Sequence, residues 1–186
     1  MLIAFNKPMG VLTHFTPSKP GQRTLAQFGL PKHIYPIGRL DADSEGLLLL
    51  SDESEWNDRL LHPRHAHERT YHVQVEGIAG EEALESLRRG LVIQGSKTKP
   101  CRASLLADPA YPPRDPPIRF RLSVPTSWIE LKLTEGKNRQ VRRMTAAVGF
   151  PALRLIRTAI GKFELGDLPA GQWRELNHEQ RELLKK

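Results

Sequence analysis

The sequence predicts an α+β fold built on a mixed, mainly antiparallel sheet with flanking helices. Two observations support this class. Strand-like segments outnumber helical ones, and most neighbouring strand-like segments are separated by turns that suit hairpins. With 186 residues the chain is long enough for one domain with a substantial core. Within this single domain, 1–186, we expect two approximate lobes, 1–64 and 65–186, that meet near residues 62–68.

The first third of the chain alternates short strands with two helices. The leucine-rich segment 47–52 has the length and the flanking residues of a buried strand. A helix is predicted over 53–62, where apolar side chains recur at helical spacing. Segment 18–29 begins as a turn and continues as a short helix that ends at its final glycine. The other predicted strands of this part are 2–8, 11–15 and 33–40.

The middle of the chain contains a strand, a helix, a loop and a hairpin. Residues 69–77 alternate apolar and polar side chains, which indicates a half-buried strand. The amphipathic helix within 79–93 stops at a glycine, because glycine tolerates positive φ. Five prolines between 107 and 118 indicate a loop without regular structure. Segments 118–124 and 128–136 both alternate and are predicted to pair as a hairpin.

Three elements complete the predicted fold. A helix over 139–149 ends at its final glycine, and a strand follows over 153–165 with turn signals after it. The last helix, 177–186, has Asn177 as its N-cap and Gln180 at the third helical position. This is a capping-box arrangement, which marks the start of a helix.

The composition favours an anionic partner. The net charge is +7 and the pI about 9.8, which makes nucleic acid the first candidate and a membrane surface the second. Cys101 is the only cysteine, which excludes an internal disulfide and fits a reducing cytoplasm. The N-terminal apolar run is interrupted by Lys, Pro and Gly, so we expect no signal peptide or anchor. The apolar run of residues 47–50 is too short for a membrane span.

The acidic segment 41–52, "DADSEGLLLLSD", imitates a calcium-binding loop, with acids at alternate positions followed by a glycine. Three features argue against calcium. The last acid is Asp52 rather than Glu, Pro36 and Gly38 precede the loop where a helix is needed, and the leucine run suits a strand. Two interpretations of this segment remain: a polar turn between strands, or a turn in which one carboxylate has a chemical role. Nearby histidines lack the spacing of a metalloprotease, and we interpret them as part of a basic loop able to contact phosphate: His62, His65, His67 and His72.

Residues 136–157 carry six cations and no acidic residue. Arg139, Arg142 and Arg143 follow the spacing i, i+3 and i+4, so we expect them to share one helical face. A separate apolar stripe on the same helix is predicted to dock it on the core. Cations without acidic neighbours repel one another, and phosphate would supply the counter-charge. This segment therefore indicates contact with an RNA or DNA backbone.

Four segments, in this order, resemble the motifs of a known family. They are "NKPMGVLTH" at 6–14, "PIGRLDADSEGLLLLSDE" at 36–53, "RTYHVQV" at 69–75 and "LTEGKNRQVRRMTAAVGFPALRLIRTAIG" at 133–161. The family is the pseudouridine synthases that modify ribosomal RNA, in the subfamily typified by the small-subunit enzyme A. Many relatives carry an S4-type RNA-binding domain ahead of the "NKP" motif. Because this motif begins at residue 6, we expect no S4-type domain.

The resemblance implies the pseudouridine synthase fold, with two lobes around a basic active-site cleft, and the residues that act there. Asp41 is implied as the nucleophile, Lys137 as its cationic partner and Tyr71 as the aromatic that packs against the flipped base. By its pattern alone, Tyr71 is an ordinary strand aromatic that faces the core. The other implied residues are Arg39, Arg139, Arg142, Arg143 and Arg157 for RNA binding, and Leu155 and Ile160 for the base pocket.

The implied reaction is the isomerisation of uridine to pseudouridine in ribosomal RNA. It needs no cofactor and no metal, and attack at C1′ of the ribose or at C6 of uracil both remain open. The implied partner is ribosomal RNA, 23S rRNA or a pre-ribosomal particle, met by a cytoplasmic monomer with no membrane contact. Charge alone also fits a non-catalytic RNA-binding or ribosome-assembly protein.

Overall fold

The fold is described from a computed structural model, for residues 1–118, 121 and 123–185. The chain divides into two compact units, which we describe separately. Unit 1 comprises Met1–His67 and Arg157–Lys186, and unit 2 comprises Glu68–Ile156. The predicted single domain with lobes 1–64 and 65–186 stays a prediction.

The described residues form thirteen strands, several of them only two residues long, and four α-helices. The strands are β1 (Leu2–Lys7), β2 (Val11–Leu12), β3 (Arg23–Thr24), β4 (Tyr35–Pro36), β5 (Glu45–Ser51), β6 (Arg69–Glu76), β7 (Val92–Ile93), β8 (Ser96–Lys97), β9 (Arg102–Leu106), β10 (Thr126–Leu133), β11 (Ala152–Ile160), β12 (Phe163–Glu164) and β13 (Trp173–Glu175). The helices are α1 (Glu55–Leu61), α2 (Glu81–Arg89), α3 (Gln140–Ala147) and α4 (His178–Glu182). Two 3₁₀ helices lie at Leu25–Phe28 and Pro63–His65.

The sheet of unit 1 is organised around β1 and β5. Strand β1 pairs antiparallel with β5 along its whole length and with β13 on its other edge. The end of β11, residues 157–160, lies on the other side of β5, and β12 folds back on it as a hairpin. Short β4 also pairs with β5, and β2 pairs with β3 in parallel outside this sheet.

The four consecutive leucines of β5 are explained by a sheet that is covered on both faces. Successive side chains of a strand point to opposite faces. Leu47 and Leu49 accordingly belong to one apolar cluster, together with Trp56 and Leu184, while Leu48 and Leu50 belong to another. All four leucines are 0% exposed. A strand buried on both faces carries a continuous apolar run rather than an alternating one.

Unit 2 is built on β6, β10 and β9, which pair antiparallel in that order. Their apolar face packs against two amphipathic helices. Leu84 of α2 and Met144 of α3 are buried in the same cluster as Val73 of β6 and Ile129 of β10. The hairpin of β7 and β8 pairs with itself and forms a separate small sheet.

The structure confirms the predicted α+β class with its mainly antiparallel sheet. It also confirms the buried strand β5, the helices α1 to α3 and the capping box of α4, in which Asn177 and Gln180 bond reciprocally. Among the described helices, none combines the length and apolar character that a membrane crossing requires.

The hairpin predicted for 118–124 and 128–136 is wrong. Both edges of β10 are occupied, one by β6 and the other by β9, so no edge remains for a third partner. The predicted partner segment lies partly outside the described residues, because 119, 120 and 122 are not among them. Strand β9 was in no predicted element, and the strands predicted at 11–15 and 33–40 are only two residues long.

Candidate active site

The candidate nucleophile Asp41 lies on a tight turn immediately before β5. The Ser44 amide donates a hydrogen bond of 3.0 Å to the Asp41 carbonyl oxygen and closes this turn. The Gly10 amide donates a 2.7 Å hydrogen bond to the Ala42 carbonyl oxygen and ties the turn to the segment after β1. Asp41 is partly exposed, whereas Ser44 and Glu45 are buried. Two backbone hydrogen bonds therefore hold the turn that carries Asp41.

Lys7, at the end of β1, is a residue of this site that the sequence reasoning missed. Its side chain is 0% exposed, and its ammonium group is bound by backbone oxygens. Nζ donates to the carbonyl oxygens of Val11 at 2.8 Å and Pro8 at 2.9 Å, with a longer contact of 3.4 Å to Ala42. Lys7 therefore connects the end of β1 to the turn that carries Asp41.

The charge of Lys7 is balanced by the acidic turn. Burial lowers the pKa of Lys7 from 10.5 to about 8, because desolvation disfavours the charged form. The carboxylates of Glu45, Asp43 and Asp41 oppose this effect, and the guanidinium of Arg157 adds to it. The sequence signal for Lys7 was a lysine inside the apolar run of the "NKP" motif.

The backbone of Arg157 packs so closely against Gly46 of β5 that position 46 has no room for a side chain. Arg157 is 5% exposed, and its Nε donates a 2.8 Å hydrogen bond to the Leu47 carbonyl oxygen. A Cβ atom on Gly46 would lie 2.3 Å from the Arg157 carbonyl oxygen, and Gly46 has φ of 100°. Position 46 therefore requires glycine on two independent grounds.

The remaining predicted residues of unit 1 differ in exposure. Arg39, two residues before Asp41, is exposed, whereas Ile160 is buried in the apolar cluster that contains Leu47. For Ile160, lining of a base pocket stays a prediction, as does RNA contact for Arg39 and Arg157.

In unit 2, Lys137 lies on a loop that its neighbours hold firmly. The Lys137 Nζ atom donates hydrogen bonds of 2.8 Å to Ser96 Oγ and 2.8 Å to the Lys97 carbonyl oxygen. The Lys137 amide donates to Gln140 Oε1 at 2.9 Å, and Gln140 Nε2 donates to Glu135 at 2.7 Å. The backbone amide and the side-chain ammonium of Lys137 are therefore both hydrogen-bonded within unit 2.

Tyr71 and Leu155 are also residues of unit 2. Tyr71, on β6, is partly buried and packs against the apolar cluster of this unit. Leu155 lies in the same cluster and is 5% exposed. Their roles in holding the uracil base stay predictions.

The three arginines around α3 do not share one helical face as predicted. Arg139 precedes α3 as its N-cap, with a left-handed φ of 51°. Arg142, inside the helix, donates from Nη1 to the Ala152 carbonyl oxygen at 3.2 Å. Arg143 donates from Nη2 to Asn138 Oδ1 at 2.9 Å. A shared face would require helix at all three positions, but the helix begins after Arg139. Their contact with RNA stays a prediction.

The predicted residues thus fall into two sets. Unit 1 contains Asp41, Arg39, Arg157 and Ile160, and unit 2 contains Tyr71, Lys137, Arg139, Arg142, Arg143 and Leu155.

Across the described part of the chain, no group of three or more His, Cys, Asp or Glu side chains is arranged to hold a metal ion. At the acidic turn, the Lys7 ammonium supplies a cation.

Comparison with known proteins identifies the family. The family model for RNA pseudouridylate synthases matches residues 1–147, which is most of the chain. The chain therefore belongs to the RNA pseudouridylate synthase family.

Individual relatives and a solved structure agree with this assignment. The chain is 52% identical over 176 residues to ribosomal large subunit pseudouridine synthase E of Xanthomonas campestris pv. campestris, over 94% of each chain. It is 45% identical over 176 residues to the protein of that name from Vibrio vulnificus, over 95% of this chain and 75% of the relative. A crystal structure of a pseudouridylate synthase matches with a TM-score of 0.82 at 28% identity, over 98% of this chain and 73% of that one.

Proposed function

We propose that this protein isomerises uridine to pseudouridine in the ribosomal RNA of the large subunit, the bacterial 23S rRNA. The support is membership of the family together with the names of the two relatives at 52% and 45% identity. Its substrate is either free rRNA or a pre-ribosomal particle. On this proposal it acts in the cytoplasm, where bacterial ribosomes are assembled.

The reaction moves one bond and leaves the composition of the nucleotide unchanged. The N1–C1′ bond breaks, the uracil turns, and a C5–C1′ bond forms. The proton on C5 is lost and N1 gains one, so no electrons are transferred overall. In one route the Asp41 carboxylate attacks C1′ and forms a sugar ester, which the returning base displaces. In the other route the carboxylate adds to C6 of uracil before the base turns, and the bond to C6 breaks again after C5 has bonded C1′.

The observation that carries the proposal is the anchored turn of Asp41. A nucleophile must be held close to the attack geometry, and errors of about 1 Å cost large factors in rate. The Lys7 ammonium and the Gly10 amide both bind the Ala42 carbonyl oxygen, one residue after Asp41. The buried strand β5 follows directly. Asp41 therefore lies on a turn held by hydrogen bonds, and the residue is partly exposed.

The other residues hold the base and the RNA backbone. Tyr71, Leu155 and Ile160 contact the extruded uracil, as the family resemblance implies. The pairing of Lys137 with Asp41 stays a prediction, because the Lys137 ammonium donates to Ser96 and Lys97. Extruding a base costs a few kcal/mol, least where the RNA is already unstacked. Phosphate contacts offset this cost, and the residues that supply them are Arg39, Arg139, Arg142, Arg143 and Arg157.

The test is release of tritium from 23S rRNA labelled at C5 of uridine. We expect the wild type to release tritium and Asp41→Asn to release none while binding the same RNA with similar affinity. Asp167→Asn is the matched control, because Asp167 is 96% exposed and its substitution removes the same charge. Asp167→Asn should release tritium at the wild-type rate. Full activity of Asp41→Asn would refute the role of Asp41.

The same assay separates catalysis from a purely binding role. A non-catalytic ribosome-assembly protein would bind the RNA but release no tritium even as wild type. The target uridine is identified by mapping pseudouridines in rRNA from cells that lack the protein. Restoring the intact protein, but not Asp41→Asn, should restore one specific site.

A further inference from the structure

The hairpin of β7 and β8 in unit 2 is an outlying element with an exposed outer surface. Its strands pair with each other, and Ile93 anchors it in the apolar cluster of unit 2. Val92, on the outer side, is 68% exposed. The turn at the tip consists of Gln94 and Gly95, with φ of 49° and 73°. Positive φ at both positions is what a two-residue hairpin turn of type I′ requires.

The tip and second strand of this hairpin bind two cations of the basic segment. The Gln94 side-chain oxygen accepts a hydrogen bond from Arg143, whose guanidinium also bonds Asn138. Ser96 Oγ and the Lys97 carbonyl oxygen accept from the Lys137 ammonium, each at 2.8 Å. These acceptors are neutral, so they orient the two cations without cancelling their charge.

Lys97 and Lys99 add two further charges to this surface, and both side chains are exposed. Within residues 1–118, 121 and 123–185, carboxylate ion pairs to Lys97, Lys99, Lys137 and Arg143 are absent. The neighbouring Glu135 carboxylate accepts hydrogen bonds from the Lys99 amide at 2.8 Å and from Gln140. Four cations around one hairpin form a positively charged surface, and the phosphates of an RNA backbone can contact several of them at once.

We propose that this hairpin surface, formed by Gln94, Ser96, Lys97, Lys99, Lys137 and Arg143, binds backbone phosphates of the substrate RNA. The identity of the RNA as substrate rests on the proposed function, whereas phosphate binding rests on the surface itself. Lys97 and Lys99 supply new phosphate contacts, and Gln94 and Ser96 are positioning residues for Arg143 and Lys137. The exposed Val92 side chain offers apolar contact to a ribose or base.

The experiment measures RNA affinity as a function of salt for the full-length protein, with a 23S rRNA fragment as the probe. The test variant is Lys97→Ala/Lys99→Ala. The matched control is Lys19→Ala/Lys32→Ala, which removes the same charge from two exposed lysines of unit 1. Each phosphate contact to single-stranded RNA contributes about 0.7 to the slope of log K against log salt, so losing two lowers the slope by about 1.4. At 0.1 M salt this corresponds to a loss of affinity of about 25-fold.

A second variant, Gln94→Gly, tests positioning without disturbing the turn. Glycine adopts the left-handed conformation readily, so the hairpin is retained while Arg143 loses its acceptor. We expect unchanged thermal stability and a several-fold loss of RNA affinity. Equal slopes for the hairpin variant and the control variant would overturn the proposal, and so would unchanged affinity of Gln94→Gly.

Failure of this proposal is distinguishable from failure of the proposed function. The binding measurements use no turnover, and the tritium assay uses the wild type. A wild type that releases tritium while the hairpin variant binds like the control refutes only the hairpin surface. A wild type without tritium release refutes the enzymatic function and leaves the binding comparison intact.

Discussion

Replacing Gly46 by alanine tests the close packing beneath the Asp41 turn. Gly46 has φ of 100°, and a Cβ atom there would lie 2.3 Å from the carbonyl oxygen and 2.8 Å from the nitrogen of Arg157. A strained backbone conformation costs about 1–3 kcal/mol, and overpacking a rigid interior costs about 1–3 kcal/mol more. Both atoms in conflict belong to the backbone, so no side chain can move aside. We expect Gly46→Ala to lose about 2–6 kcal/mol of unfolding free energy.

The assay is urea unfolding followed by tryptophan fluorescence, to which Trp56 and Trp173 of unit 1 and Trp128 of unit 2 all contribute. Gly149→Ala is the matched control, because Gly149 has a similar φ of 89° but open space where the Cβ would lie. We expect the control to lose only about 1–2 kcal/mol, the cost of the backbone conformation alone. If both variants lose the same unfolding free energy, the close packing of Arg157 against β5 is not the reason that position 46 requires glycine.

Two further predictions concern the charge of Lys7 and the cap of α4. The pKa of folded Lys7 is about 8 against an ordinary 10.5, so between these values the unfolded chain binds one more proton. The unfolding free energy should therefore rise from pH 8 to pH 10.5, by up to about 3 kcal/mol. Below pH 8, Lys7 should contribute no pH dependence to the unfolding free energy. Lys7→Met should lose this rise and Lys32→Met should keep it; identical profiles would contradict the assignment. Asn177→Ala removes the capping box and should cost about 1 kcal/mol in urea unfolding, whereas Asn57→Ala, exposed in α1, should stay within about 0.5 kcal/mol.

Local signals in the sequence predicted the elements that depend on local physics. The N-cap of α4 was predicted because Asn177 and Gln180 lie three residues apart, and their mutual hydrogen bonds are a short-range effect. Strand β5 was predicted from its length and flanks. Which side chains cover it could not be deduced, because they include Leu184, which is distant in sequence.

The failures concern partners that only the tertiary structure selects. Apolar and polar side chains alternate clearly along β10, but this alternation does not identify the strand that pairs with it. Strand β9 is too short for its pattern to be recognised. Arg139 was assigned to a helix by spacing, although the helix begins one residue later. Lys7 was overlooked because a lysine within an apolar strand gives no sign of the three carbonyl oxygens that bind its ammonium group.

The connectivity of the two units has a consequence for synthesis on the ribosome. Unit 2 is one continuous segment, Glu68–Ile156, whereas unit 1 is assembled from both ends of the chain. Strand β1 pairs with β13 in the register Ile3↔Glu175, so one edge of β1 lacks its neighbour until residues 173–175 have been synthesised. Domains gather their contacts as they emerge. The nascent chain can therefore complete the interior of unit 2 first, and the support of Asp41 is finished last, after its C-terminal strand has left the exit tunnel.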